Sequence, residues 1–355
     1  MLTDNALKKT VIRTFINIEK KNMIKDELYN IYGIISFRLV DDIRKPMLLN
    51  RINPEYKFFK SSSKCINHFD IVVGELEDNT SNIELSCGKL SWSVGINNYF
   101  EKKEFRVSAN KLGLRSKFAF TALKNLYVRS ILMDQLLDLD SALVHSAAFS
   151  VNGKTVILAG RPGVFKTSIL MDAIRCNGAS FIGEENCLLS NNKVYPFPLN
   201  IDSISYKIEN YKDENASGKL QKMKLGMHLL KKNTDYKNLE LSLPLEIDAV
   251  FYLEKGDVFN VKPVSLEEIL PSLVENELLE LSIPPTHTLS GIKYNYFKET
   301  LINHDENFIA NFKNKLKQIF VDNFNGKKCY KVISPKKYKV SITQEILETI
   351  NNINI

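Results

Sequence analysis

Hydrophobic positions follow two regimes along the chain. From Thr10 to about Ala109, short β-branched and aromatic runs alternate with turn residues, and no long helical period develops. Ile31–Val40 (IYGIISFRLV), Phe69–Val73 (FDIVV) and Leu90–Val94 (LSWSV) are the predicted strands of this region. Ser61–Ser63 and Glu77–Ser81 read as loops. Trp92 sits in a strand-like run, where packing is the commoner use of an indole. Between Lys117 and Leu139 the period changes. Phe120, Leu123, Leu126, Tyr127, Ile131, Leu132 and Leu136 recur every three or four positions, which predicts a helix of roughly 20 residues closed by Asp138-Leu-Asp140-Ser141. A boundary near residue 140 therefore separates a β-rich or α+β region, 1–140, from a second domain, 141–355.

The second domain opens on a strand, Val144–Val151, that carries His145, followed by Asn152-Gly153, a strong two-residue hairpin signal. The returning strand, Thr155–Ala159, runs into Gly160-Arg-Pro-Gly-Val-Phe-Lys-Thr167, after which Ser168–Cys176 is helical and Asn177-Gly178 supplies a left-handed stop. Ala179–Ile182 is a short buried strand that delivers Gly183-Glu184-Glu185-Asn186. Val194–Pro198 is extended by its prolines. Residues 207–238, rich in lysine, form a polar excursion from the core, either a substrate-facing loop or a plain solvated face. Ile247–Leu253 is a buried strand turned by Glu254–Asp257, and Ser265 and Glu268 have the spacing of a capping box. Pro284-Pro285 breaks the pattern, an amphipathic helix follows over Glu306–Phe320, and Cys329–Ile333 is a last strand. Strands and helices mixed in this way indicate an α/β fold with a mixed sheet.

Composition narrows the partners. The 355 residues carry 48 Lys and Arg against 41 Asp and Glu, a net charge of +7 that is spread along the chain. This suits an anionic ligand such as a nucleotide, but lacks the dense basic stripe of a nucleic-acid binder. The five cysteines (Cys65, Cys87, Cys176, Cys187, Cys329) include no C-x-x-C pair, which argues against a disulfide framework or a zinc site and for a reducing cytoplasm. Neither a secretory leader nor an apolar run long enough to span a membrane is expected.

The chemistry concentrates around the loop. Strand, glycine-containing loop and helix in that order, with Lys-Thr at the helix start, is how a phosphate-binding loop is built. In such a loop Gly160 and Gly163 leave the backbone unhindered, and Arg161, Pro162, Gly163, Val164, Phe165 and Ser168 lie along the expected phosphate path, with N–H donors from all but Pro162. Lys166 would bridge the β- and γ-phosphates, and the Thr167 hydroxyl would bind Mg²⁺. The pattern G-x-x-x-x-G-K-[ST] asks for glycine where Phe165 stands, and a bulky residue forced to positive φ costs on the order of 1–2 kcal/mol. A plain strand-to-helix turn is the alternative. Glu184 and Glu185 can reach the same cleft, one holding Mg²⁺ and the other taking a proton, or they form a solvated turn. His145 contacts phosphate or acceptor, or is a hydrogen-bonded core residue.

His145-Ser146, the Asn-Gly hairpin, GRPGVFKT and the acidic pair after the next strand resemble the catalytic domain of HPr kinase/phosphorylase and its kinase-like relatives. The resemblance covers about residues 143–200, with looser similarity in FDIVVGEL, VYPFPLNI and PLEIDAVFYLEKG. It implies a phosphoenolpyruvate-carboxykinase-like core in which His145, Lys166 and Thr167 take the family's histidine, lysine and Ser/Thr positions. Glu184 and Glu185 stand where the family has an Asp-Asp pair for metal binding and the catalytic base. Phe165, the longer carboxylates and Ser168 depart from the family pattern. The implied activity is ATP- and Mg²⁺-dependent transfer of the γ-phosphoryl group to a hydroxyl on a protein, peptide or metabolite, as a kinase rather than a kinase/phosphorylase. In that scheme Thr167 and Glu185 hold the metal, Glu184 is the base and His145 supports it. A catalytically degenerate nucleotide-binding regulatory or adaptor module is the alternative, and a nucleic-acid-dependent ATPase ranks last. A homo-oligomer is compatible with either of the first two.

Overall fold

The structure, a computed structural model, describes residues 25–41, 56–73, 82–87, 90–95, 103–109, 128–198, 201–210, 224, 242–282 and 306–353. The predicted loop at Glu77–Ser81, the start of the Lys117–Leu139 helix, most of 207–238 and Pro284-Pro285 lie outside the described residues. The chain divides into two units, Met1–Ile131 with Pro284–Leu301, and Leu132–Ile283 with Ile302–Ile355. Among the described residues it is a mixed α/β protein with six α-helices and three sheets. No helix among them is long and apolar enough to cross a membrane.

In the first unit, β1 (Lys25–Ile31), β2 (Ile35–Asp41), β3 (Lys60–Ser61), β4 (His68–Val73), β5 (Asn82–Cys87), β6 (Leu90–Gly95) and β7 (Glu104–Ala109) form one sheet in the order β3-β1-β2-β4-β7-β6-β5. The β2/β4 and β4/β7 pairs are parallel. The single strand expected over Ile31–Val40 is a hairpin instead. The chain reverses at Tyr32 and Gly33, with φ of 55° and 73°, and the Asn30 side chain accepts the Gly33 N–H at 2.8 Å. Tyrosine is a strand former, so the apolar run hides the turn.

Period-two alternation then sorts the two faces of β2 and β4. Tyr29, Phe37 and Phe69 are cross-strand neighbours whose rings stack at 4.9 and 5.5 Å, and Tyr56 meets Phe37 edge-on at 5.3 Å. The intervening residues carry a polar chain on the opposite face. Arg38 grips Asp70 with two hydrogen bonds of 2.9 and 2.6 Å, the His68 Nε2–H donates to Asp70 at 2.9 Å, and the Ser36 hydroxyl donates to His68 Nδ1 at 2.9 Å. Ser, His and Asp stand here in the order of a hydrolytic triad, yet Ser36 is fully buried and its oxygen already accepts the Cys65 N–H at 3.0 Å. The chain is a tie between neighbouring strands.

Burial holds the His68 imidazole below its ordinary value, although Asp70 opposes it. Burial alone would raise Asp70, but the hydrogen bonds from Arg38 and His68 outweigh it and keep the carboxyl low. Groups whose folded values are depressed stabilise the fold above their unfolded values and lose that contribution as pH falls. Asp70→Asn should therefore cost roughly 1–3 kcal/mol at neutral pH. The gap between variant and wild type should widen below the ordinary imidazole value of about 6.5, because without Asp70 the His68 imidazole is held lower still, and then narrow through the carboxylate range as Asp70 loses its charge. Urea denaturation at a series of pH values measures this, and a gap constant with pH would show that the network's charges do not contribute to stability.

Helix α1 (Ser130–Leu137) leads into the second unit, ending at a turn in which Asp140 has φ 49°. There follow β8 (Ala142–Val144), β9 (Ser146–Val151), β10 (Lys154–Gly160), α2 (Lys166–Asn177), β11 (Ser180–Gly183), β12 (Cys187–Ser190), β13 (Lys193–Tyr195) and α3 (Ile201–Asn210). After these come β14 (Leu245–Glu246), β15 (Ala249–Lys255), β16 (Asn260–Val264), α4 (Leu266–Ser282), α5 (Phe308–Phe324), β17 (Lys328–Ser334) and α6 (Val340–Asn351). The main sheet runs β11-β9-β10-β15-β17-β16, with β10, β15 and β17 parallel, and a smaller sheet runs β14-β13-β12-β8. Phe149, Val156, Leu158, Phe251 and Val332 pack one face of the main sheet against α2, α3 and α6. α4 meets β10 and α5.

The Asn152-Gly153 hairpin forms as the sequence predicts, with both residues at positive φ. Gly178, at φ 63°, ends α2, and the Glu268 N–H bonds the Ser265 hydroxyl at 3.3 Å. Two expectations change, and one element was not anticipated. Val144–Val151 is not one strand: β8 and β9 belong to different sheets, and His145 occupies the break. Residues 207–210 are the last turn of α3, an amphipathic helix, rather than part of a polar excursion. Beyond the predicted last strand, Ile342, Ile346, Leu347 and Ile350 bury one face of α6, a stripe set by spacing that the β-branched content of the segment obscures.

Candidate functional site

Parallel strands leave a crevice beyond their carboxyl ends, the usual place for ligands in such sheets. Here it is occupied by the Gly160–Thr167 loop between β10 and α2. Gly160 has φ 140°, and a Cβ on it would lie 2.2 Å from the Leu253 carbonyl oxygen of β15, so only glycine lets the loop leave the sheet here. Arg161, Pro162 and Gly163 form an exposed crest. Val164 turns into the core while its carbonyl accepts the Ser334 hydroxyl at 3.3 Å. Ser168 is buried in the first turn of α2, and its carbonyl accepts the Tyr338 hydroxyl at 3.4 Å.

Phe165 is the N-cap of α2 and has φ 73° and ψ 18°, the left-handed conformation that the missing glycine would adopt at no cost. Its ring explains how the strain is borne. The ring packs on Tyr338 at 5.4 Å, and the Lys255 ammonium lies 3.4 Å from its centroid. Tyr338 is fixed in turn by hydrogen bonds to the Asp172 carboxylate and to Thr343. The helix start has no side-chain cap and no acid in its first turn, so its N–H groups face an open, positive helix end.

His145, Lys166, Thr167, Glu184 and Glu185 come together along one cleft of about 370 Å³. Gly160, Arg161 and Val164 shape the loop without lining the cleft. The Thr167 hydroxyl donates to Glu184 Oε1 at 2.7 Å. Glu185, the next residue, is exposed and has φ 63°, so the cleft is lined by two non-glycine residues held left-handed. Gly183 allows this tight reversal, since a Cβ there would come within 2.6 Å of the Asn186 carbonyl.

Lys166 is the electrostatic centre. It is buried, and its ammonium folds back onto the carbonyls of Gly160 and, at 3.2 Å, Arg161. Burial lowers its pKa to about 8, against the pull of Glu280, Glu277, Glu184 and Glu185. Two of these four carboxylates, Glu277 and Glu280 on α4, were not singled out by the sequence pattern. Both are buried. Glu277 accepts the backbone N–H of His145 at 2.9 Å and the Asn276 side-chain N–H at 3.1 Å. Glu280 Oε2 lies 3.5 Å from His145 Nδ1. A signal was present: Leu270, Leu273, Glu277 and Glu280 continue one helical stripe, whose last turn changes from apolar to acidic.

The arrangement can hold an anion at the start of α2 and a divalent cation beside it. Among the described residues no group of three or more His, Cys, Asp or Glu side chains is gathered tightly enough to hold a metal. A magnesium ion suits such a place, because it takes one or two carboxylates, a hydroxyl and phosphate oxygens rather than a full protein cage. Thr167, Glu184 and Glu185 are the residues that fit it. The thiol of Cys187, close behind, is buried and raised to about 12, so it stays inert. The chain matches no protein-family model, and comparison with curated proteins gives no significant match.

Two outcomes test this geometry. Gly160→Ala should lower stability by roughly 1–3 kcal/mol in chemical denaturation, through contact with Leu253 and backbone strain. For Lys166, the folded chain releases its proton near 8 while the unfolded chain keeps it to the ordinary value. Stability relative to Lys166→Gln should then rise between those two values as pH increases. An unchanging difference would mean that Lys166 ionises like an exposed lysine.

Proposed function

We propose that this chain is an ATP- and Mg²⁺-dependent kinase of the HPr kinase/phosphorylase-like kind, transferring the γ-phosphoryl group to a hydroxyl. The observation that carries the reading is the pairing of Lys166 and Thr167 at the open end of α2 with Glu184, hydrogen-bonded to Thr167 from the neighbouring turn. The Lys166 ammonium, satisfied by loop carbonyls, is poised to exchange those contacts for phosphate oxygens. Magnesium, when bound, neutralises charge on the β- and γ-phosphate oxygens.

The Thr167–Glu184 bond favours roles different from those expected of the sequence. A carboxylate already joined to the metal-binding hydroxyl is better suited to the metal side than to proton abstraction, so we assign Glu184 there together with Thr167 and Glu185. His145, on the strand break and lining the same cleft, is left to face the acceptor hydroxyl.

Incubation with γ-labelled ATP, Mg²⁺ and a matched cell extract should label an acceptor. Lys166→Ala should lower transfer by roughly 100-fold or more, as expected for loss of a charged transition-state contact. ATP binding without transfer to any acceptor, combined with activity gained by Phe165→Gly, would favour the adaptor reading instead.

A further inference from the structure

His145 is held at two points by one helix. The break between β8 and β9 frees its backbone N–H from sheet pairing, and Glu277 of α4 accepts that N–H at 2.9 Å, itself steadied by Asn276. One turn along α4, Glu280 approaches the ring, with its Oε2 at 3.5 Å from Nδ1. Both carboxylates are buried, and neither lines the cleft, whereas His145 does. Buried carboxylates are retained at a cost unless they are paired. Helix α4 nevertheless spends buried positions on them, where Leu270 and Leu273 of the same stripe are apolar.

We infer that Glu280 is a positioning residue that holds His145 in the Nδ1–H tautomer, so that Nε2 faces the cleft as a proton acceptor, while Glu277 fixes the backbone that carries the ring. A carboxylate that accepts from the ring calls for the hydrogen on Nδ1, and in the neutral ring Nε2 then has the lone pair. Nδ1 lies toward α4, and the ring lines the cleft. This deepens the kinase reading and rests on it for the step itself. The acceptor O–H proton passes to Nε2 as the oxygen bonds to the γ-phosphorus, and the bond to the β-phosphate bridging oxygen breaks with its electron pair leaving on ADP. Glu280 stabilises the imidazolium so formed, which then returns its proton to solvent.

The test reads the tautomer directly, apart from activity. The chain has five histidines, so long-range ¹H–¹⁵N correlation at about pH 8.5, above the ordinary imidazole range, resolves each ring, with His145→Asn as the assignment control. We expect the His145 ring as Nδ1–H in the wild type, and as a mixture or as Nε2–H in Glu280→Gln. Glu280→Gln should lower kcat by about 10-fold or more, with KM for ATP little changed, and Glu280→Asp should restore part of it. A wild-type ring found as Nε2–H overturns the inference without any variant. So does a tautomer unmoved by Glu280→Gln. The tautomer result without phosphoryl transfer in the wild type would leave the positioning role standing and remove the kinase reading.

Discussion

A buried ammonium is the constraint around which the second unit is arranged. Lys166 is buried, and burial draws its pKa down to about 8. It remains a usable cation because loop carbonyls accept its hydrogens and four carboxylates lie near. Those carboxylates arrive from two directions, the turn after β11 and the last turns of α4. Removing either source would leave Lys166 with less counter-charge, and a buried charge without compensation is costly. The cleft is thus an electrostatic balance between one buried ammonium and the carboxylates around it.

Holding that balance requires backbone conformations that side chains resist. Phe165 and Glu185 both sit at positive φ, and both line the cleft. Such conformations persist only where the surroundings over-determine them. The surroundings are identifiable. Phe165 is held by Tyr338 and Lys255, Tyr338 by Asp172 and Thr343, and the reversal at Glu185 by the absence of a Cβ on Gly183. Strands β10, β15 and β17 supply the rigid base, with Gly160 pressed so close to Leu253 that the loop has one exit from the sheet.

The first unit uses polar groups for a different purpose. Its Ser36–His68–Asp70–Arg38 chain joins β2 to β4 on the face opposite a stack of aromatic rings. Residue types that elsewhere perform catalysis are here sealed from substrate by the burial of Ser36. Accessibility, rather than the identity of the side chains, separates this network from the cleft around Lys166.

Local order is legible in the pattern of residues alone. The Asn152-Gly153 hairpin, the helix after Thr167, its stop at Gly178 and the capping spacing at Ser265 each depend on neighbours a few residues apart, so each is legible in the pattern. The loop residues Lys166 and Thr167 and the acids Glu184 and Glu185 were legible for the same reason. Tertiary structure decided the rest. The turn at Tyr32, disguised by a strand-forming side chain, and the break at His145 depend on which sheet each half joins. Glu277 and Glu280 lie more than 130 positions beyond His145, and only the packing of α4 beside β10 sets them next to it. Periodicity assigns a residue to a face, but what that face meets depends on contacts distant in the chain.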